Sequence, residues 1–289
     1  MVRWIMLVTV VLFSAPAYGQ SSNESPRDAE LYQLARTDLK AFAAEVVKGT
    51  DSELAQARAV VKWLAQHFDW TATDYKQRTV QQIIDRKGGN CNELARVAVA
   101  AMEELNIRMR KVREINIHRW TPQRGVTAHR MVKEKGKRYS VFGRHHNDHV
   151  WIEIYDSKAD EWFPADPSIG VVGTVDWLKS RVWFGHRFTL DESSNDMIVP
   201  FVIVAQDEQG GITIDRSRHY LIDEFNKLYG GKLSECPDWN AWKQQLSALD
   251  GPAIGAFRGE VNLHHYETQI DTLAAVYERL RTEYAQLNR

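Results

Sequence analysis

Cys91, His149 and Asp166 are the residue types that nucleophilic acyl transfer requires: a thiol, an imidazole to activate it, and a carboxylate to fix the imidazole's tautomer and orientation. Cys91, one of two cysteines in the 289-residue chain, stands in Gly88-Gly89-Asn90-Cys91-Asn92-Glu93-Leu94-Ala95. Asparagine is a favoured N-cap, and Glu93 lies three residues on, where a capping box requires it. The spacing therefore predicts a helix with Cys91 at its first position. There the unpaired N–H groups and the positive end of the helix dipole favour thiolate over thiol, and the same groups can hold an oxyanion. Leu94, Val97, Ala98, Ala101, Met102 and Leu105 recur at helical spacing, so the helix is expected to be buried.

The other two residues fall on a predicted hairpin. His149-Val150-Trp151-Ile152-Glu153-Ile154-Tyr155 alternates as a strand does, with Val150, Ile152 and Ile154 on the core face and His149, Trp151, Glu153 and Tyr155 on the other. A turn through Ser157, Lys158, Ala159 and Asp160 leads to Trp162-Phe163-Pro164-Ala165-Asp166-Pro167, which would return Asp166 beside His149.

Plainer readings exist for each residue. Cys91 as a buried small hydrophobe, or as half of a disulfide with Cys236, would not react. Cys236 lies in the turn-like Leu233-Ser234-Glu235-Cys236-Pro237-Asp238, where a free or buried thiol is expected. His145-His146-Asn147-Asp148-His149 contains metal-ligand types, but adjacent histidines lack the helix-face spacing of zinc motifs, so neither metal nor cofactor is expected.

Together these stretches resemble the transglutaminase-like superfamily of papain-like Cys/His/Asp thiol enzymes, in an exported, bacterial-type form. The resemblance runs from about residue 56 to 170. It opens with Ala57-Arg58-Ala59-Val60-Val61-Lys62-Trp63-Leu64 and Phe68-Asp69-Trp70, and continues through the Cys91 segment and Leu105-Asn106-Ile107-Arg108-Met109-Arg110. His149-Val150-Trp151 and Ala165-Asp166-Pro167-Ser168 close it. The family's triad carries over onto Cys91, His149 and Asp166. A further oxyanion donor is not assigned by it; Trp70 is one candidate, with a core aromatic as the alternative. Asn106 and Arg108-Met109 depart from the family's usual link out of the helix.

Around this core, Arg3 and the apolar run Trp4–Phe13 followed by Ala17-Tyr18-Gly19 read as a signal peptide over residues 1–19, cut before Gln20, so a periplasmic or secreted product without a membrane span is expected. Residues 20–50 read as a linker and one amphipathic helix through Leu31, Leu34, Ala35, Leu39, Phe42 and Val46. Residues 51–170 form the catalytic core, strand-rich from Arg108 with a strand at Arg138–Phe142, hence an α+β fold with an antiparallel sheet. Residues 171–289 read as a mostly helical extension. Within it Pro200–Val204 is a buried strand, Ser217–Leu228 and Trp239–Leu249 are helices, and Trp177, Trp183 and Phe184 are packing residues.

Leu263, Tyr266, Ile270, Leu273, Tyr277, Leu280, Tyr284 and Leu287 form a heptad seam, expected to pack on the chain's own helices, with a homodimer or partner helix as the alternative. A formal net charge of −1 gives no reason to expect nucleic acid as a partner. Arg108, Arg110, Lys111 and Arg113 read as the solvated side of a strand.

The reading that results is a thiol-dependent acyl-transfer enzyme acting on amide or peptide bonds of a protein or peptide substrate. A cysteine peptidase or amidase is favoured because water needs no second-substrate site. A protein-glutamine γ-glutamyltransferase and a non-catalytic binding module are the alternatives.

Overall fold

A six-stranded antiparallel sheet, in the order β6-β5-β4-β3-β7-β8, separates two hydrophobic cores. Its strands are β3 (Met109–Asn116), β4 (Asp148–Asp156), β5 (Glu161–Asp166), β6 (Val171–Val172), β7 (Pro200–Gln206) and β8 (Ile212–Asp215). The computed structural model describes residues 25–71, 76–117, 148–182, 199–207 and 211–287. The signal-peptide segment, the strand expected at 138–142, His145, His146, Asn147, Trp183 and Phe184 lie outside the described residues. No described helix is long and apolar enough to cross a membrane.

The first core lies under five helices: α1 (Pro26–Thr37), α2 (Leu39–Val46), α3 (Glu53–His67), α4 (Val80–Asp85) and α5 (Cys91–Glu104). The single helix expected through residue 46 is in fact two. At Asp38 the backbone leaves helical geometry with φ at −151°, and the Asp38 carboxylate accepts from Ala41 N at 3.0 Å, so this residue ends one helix and caps the next. Val150, Ile152, Ile154 and Ala165 from the sheet meet Leu64, Leu94, Ala98 and Met102 from the helices in this core. The helices leading into an antiparallel sheet make the fold α+β, as expected.

The second core corrects the reading of β4. The face bearing His149, Trp151 and Glu153 is not open: Trp151 and Glu153 are both fully buried. It is covered by α6 (Thr174–Arg181), a π-helical turn at His219–Glu224 that runs into α7 (Phe225–Leu228), and the long α8 (Trp239–Phe257) and α9 (Glu267–Leu287). Trp151 packs against Trp177 with ring centroids 4.8 Å apart and edge-on to Tyr220 at 5.5 Å. The sheet also runs past residue 170. The apolar run of β7, buried on both faces, pairs with β3 inside the sheet.

Ile270, Leu273, Tyr277 and Leu280 of the heptad seam are buried against this second core, with Tyr284 packed edge-on against Tyr229 at 4.4 Å.

Candidate active site

Local chain geometry sets Cys91. Asn90 Oδ1 accepts from Glu93 N and Glu93 Oε2 accepts from Asn90 N, each at 3.0 Å, so the expected capping box is formed with Cys91 at the first position of α5. Glu93 is itself buried and ion-paired to Arg78 at 2.8 Å, which fixes the cap from outside the helix. The two preceding glycines have no room for a side chain. A Cβ on Gly89 would stand 2.6 Å from Glu93 Cβ, and one on Gly88 would stand 2.5 Å from the carbonyl oxygen of Asp69, where the short parallel pair β1 (Asp69–Trp70) and β2 (Gly88–Gly89) closes.

His149 and Asp166 meet across the β4–β5 hairpin. Its turn is the one expected: Asp156 Oδ1 accepts from Lys158 N and Ala159 N, and Asp160 takes a positive φ. In the antiparallel register Ile152 pairs with Ala165, so Asp166 falls opposite Trp151 and diagonal to His149, two residues further along the same face of β4, which brings the imidazole and the carboxylate together. His149 Nε2 lies 2.7 Å from Asp166 Oδ2, with the imidazole 1% exposed and the carboxylate fully buried. Asp166 Oδ1 accepts from Ser168 N at 2.9 Å, so both carboxylate oxygens are held.

The remaining ring nitrogen, Nδ1, is buried without a hydrogen-bond partner. Burial favours the neutral ring. The charge and hydrogen bond of Asp166, with the added electrostatic pull of Cys91, outweigh it and carry the imidazole from 6.5 up to about 10. With Nε2 committed to Asp166, Nδ1 is the nitrogen left for the thiol. Thiol, imidazole and carboxylate thus stand in one electrostatic group, although they come from different elements.

Two other expectations are met by position. Trp70 is a core aromatic, 2% exposed, paired in register with Gly89, and its indole N–H is buried without a partner. Cys91 and Cys236 are free thiols in separate cores, and burial pushes the Cys236 thiol up.

The basic stretch on β3 is a correction. Its members do not form one solvated side, because strand alternation sends them to both faces. Arg110 donates to Glu153 at 2.6 Å and lies over the Trp162 ring at 4.1 Å, whereas Lys111, on the other face, donates at 2.6 Å to Oδ1 of Asn92, the residue after Cys91.

Sequence reasoning missed a buried ion pair behind His149. Glu114 is the register partner of His149 on the neighbouring strand, accepts from Trp151 Nε1 at 2.9 Å, and contacts Arg181 from the end of α6. Glu114 and Arg181 are almost wholly buried. Burial lowers the Arg181 guanidinium to about 9 while Cys91 pulls it up, so it remains a cation at neutral pH within electrostatic reach of Cys91. Among the described residues no group of histidine, cysteine and carboxylate side chains could hold a metal ion.

Residues 40–167 match the family described as the transglutaminase-like superfamily. No curated protein matches the sequence significantly. Among solved structures, a candidate cysteine protease from Cytophaga hutchinsonii aligns at 14% identity over 51% of this chain and 44% of that one, with a TM-score of 0.34. A Rad4–Rad23 complex bound to a 6-4 photoproduct UV lesion aligns at 12% identity over 89% of this chain and 54% of that one, with a TM-score of 0.36. Rad4–Rad23 crosslinked to undamaged DNA gives 14%, 85%, 54% and 0.38. The chain therefore spans about half the length of these proteins. At such scores the likenesses say nothing about chemistry here.

Proposed function

From a chain whose residues 40–167 belong to the transglutaminase-like superfamily, which includes both cysteine hydrolases and non-catalytic members, we propose a thiol-dependent amide hydrolase, a cysteine peptidase or amidase. One observation carries the reading. His149 is clamped by Asp166 through Nε2 while its buried Nδ1 has no hydrogen-bond partner, beside a cysteine at the first position of a capped helix.

In this mechanism Cys91 Sγ, as thiolate, adds to the amide carbon, and the carbonyl oxygen takes the negative charge. The backbone N–H groups at the start of α5 are the donors available to that oxygen. The C–N bond then breaks, and protonated His149 gives its proton to the departing amine, leaving a thioester on Cys91. Water, losing a proton to His149, adds to the thioester and releases the carboxylic acid and the thiol. An amine in place of water would give a transglutaminase by the same steps. Hydrolysis is preferred because it needs no site for a second substrate.

The test is alkylation of Cys91 by iodoacetamide at about pH 6, alongside turnover of a peptide-amide library. Alkylation should fall about tenfold or more in His149→Ala, and Cys91→Ser should abolish turnover. A Cys91 that reacts at the same rate in wild type and His149→Ala would overturn the reading.

A second reading has one observation behind it: Cys91 is only 8% exposed and His149 only 1%. A non-catalytic binding module would keep such a closed triad as structure. In that case Cys91→Ser would leave binding intact and no amide would be turned over.

A further inference from the structure

We propose that Lys111 and Arg96, with Arg113 next along the same strand face, form an anion subsite beside Cys91 that selects substrates carrying a carboxylate close to the scissile amide. The proposal rests on the thiol-hydrolase reading and names its substrate class.

The placement comes from the sheet register and the helix repeat. Lys111 and Arg113 are two residues apart on β3, so their side chains leave on one face, the face of Ile152 and Val150 that packs toward α5. Lys111 Nζ is held 2.6 Å from Asn92 Oδ1, and Asn92 is the residue directly after the nucleophile. Arg96 is four residues beyond Asn92, one turn further along the same side of α5. All three are half-buried.

Lys111 and Arg96 are both held by neutral groups. Asn92 offers Lys111 a dipole and no charge. Glu93, the only carboxylate in the first six residues of α5, is already taken by Arg78 and Arg86. Arg96 donates through Nη1 to the carbonyl oxygen of Arg78, another neutral acceptor, at 2.7 Å. Burial pushes the Lys111 ammonium down, Arg113 and Arg96 push the same way, and among the groups acting on it only Cys91 pulls it up. Lys111 and Arg96, half-buried cations held by neutral acceptors, gain most from a bound anion, because little water screens the interaction. At this place that anion would belong to the acyl substrate, within a residue or so of the bond that Cys91 attacks. Arg113 is steadied by the ring of Phe257, 4.9 Å from its guanidinium carbon.

The competing explanation is that Lys111 only braces the first turn of α5 through Asn92. Two alkylating probes of nearly equal size, iodoacetate and iodoacetamide, separate the two, with the label assigned to Cys91 by peptide mass spectrometry. Their rate ratio cancels any general loss of Cys91 reactivity. Iodoacetate should be favoured in wild type, and the ratio should drop about five- to tenfold in Lys111→Gln and in Arg96→Gln, with Lys111→Arg restoring it. Raising the salt from about 0.05 to 0.5 M should lower the wild-type ratio and leave that of the double variant flat.

A ratio unchanged by either substitution, with Cys91 still reactive, would overturn the subsite and leave the hydrolase reading standing. A Cys91 inert to both probes would overturn both.

Discussion

The two faces of the sheet are built by different means. Under α1–α5 the core is apolar, and Cys91 is aimed by short-range devices: an Asn90–Glu93 capping box and two glycines without room for a Cβ. The face under α6–α9 is apolar too, but buried charge runs through it. Glu153 is fully buried and accepts from Arg110, Arg216 and Tyr220, while Glu114 joins Arg181 and Trp151 directly behind His149. A nucleophile can be oriented by the turn it sits on. An imidazole on a strand has no such turn, and its orientation depends on what packs behind the strand. The C-terminal residues therefore belong to the site's architecture as much as the family-matched segment does.

The largest difference should appear when one charge is removed from the second face. Glu114→Ala leaves Arg181 buried and unpaired, and breaking a pair of this kind costs about 3–5 kcal/mol. Urea denaturation at neutral pH measures it. The double variant Glu114→Leu/Arg181→Met should recover much of the loss, because a well-packed apolar pair removes the desolvation penalty. If the single variant were near wild type, this face would be held by apolar packing alone and the contrast would fail.

A smaller effect separates the faces by pH. The folded-state value for His149, about 10, lies above the ordinary 6.5, so the folded protein binds the proton more tightly than the unfolded chain does. The stability this contributes is fully present below about pH 6.5 and is lost as pH rises through about 10. In wild type the urea midpoint should decline over that window, and ring-proton NMR should show His149 still protonated at about pH 8. Asp166→Asn removes the charge that holds the proton, so the decline should flatten. An imidazole titrating near 6.5 in the wild type would contradict the geometry.

Legibility in the sequence followed the same division. The Cys91 helix start was readable because a capping box spans four consecutive residues and needs no tertiary information. The His149–Asp166 pair was readable because a hairpin with a short turn brings its strands together locally. Glu114 and Arg181 were not, since they lie 67 positions apart by their numbers and meet only when α6 packs on the sheet. The alternation of β4 was read correctly, but Trp151 and Glu153 on its second face look the same in sequence whether that face is wet or sealed by buried ion pairs. Arg108 to Arg113 misled for a related reason: a run of basic residues suggests one solvated side, and only the register shows that neighbours in the run serve opposite faces. The break at Asp38 is a single residue whose carboxylate competes for a helix N–H, too little to outweigh a continuous apolar period.

The smallest expected effect tests whether the two faces are independent. Asn90→Ala removes the side-chain acceptor for Glu93 N and should cost about 1 kcal/mol, the usual cost of losing a cap. Asn90→Ser should stay close to wild type, since serine caps nearly as well. Cys91 sits at the next residue, so fraying of this turn should slow its alkylation in the alanine variant. The clamp of His149 by Asp166 lies on the other face and uses no atom of the cap, so the pH dependence assigned to it should not move. Measuring both quantities in one variant makes the comparison sharp. A shift in the His149 titration on loss of the Asn90 cap would mean that the thiol and the imidazole are positioned as one unit, and that the short-range devices on the helical face also hold the strand-borne half of the site.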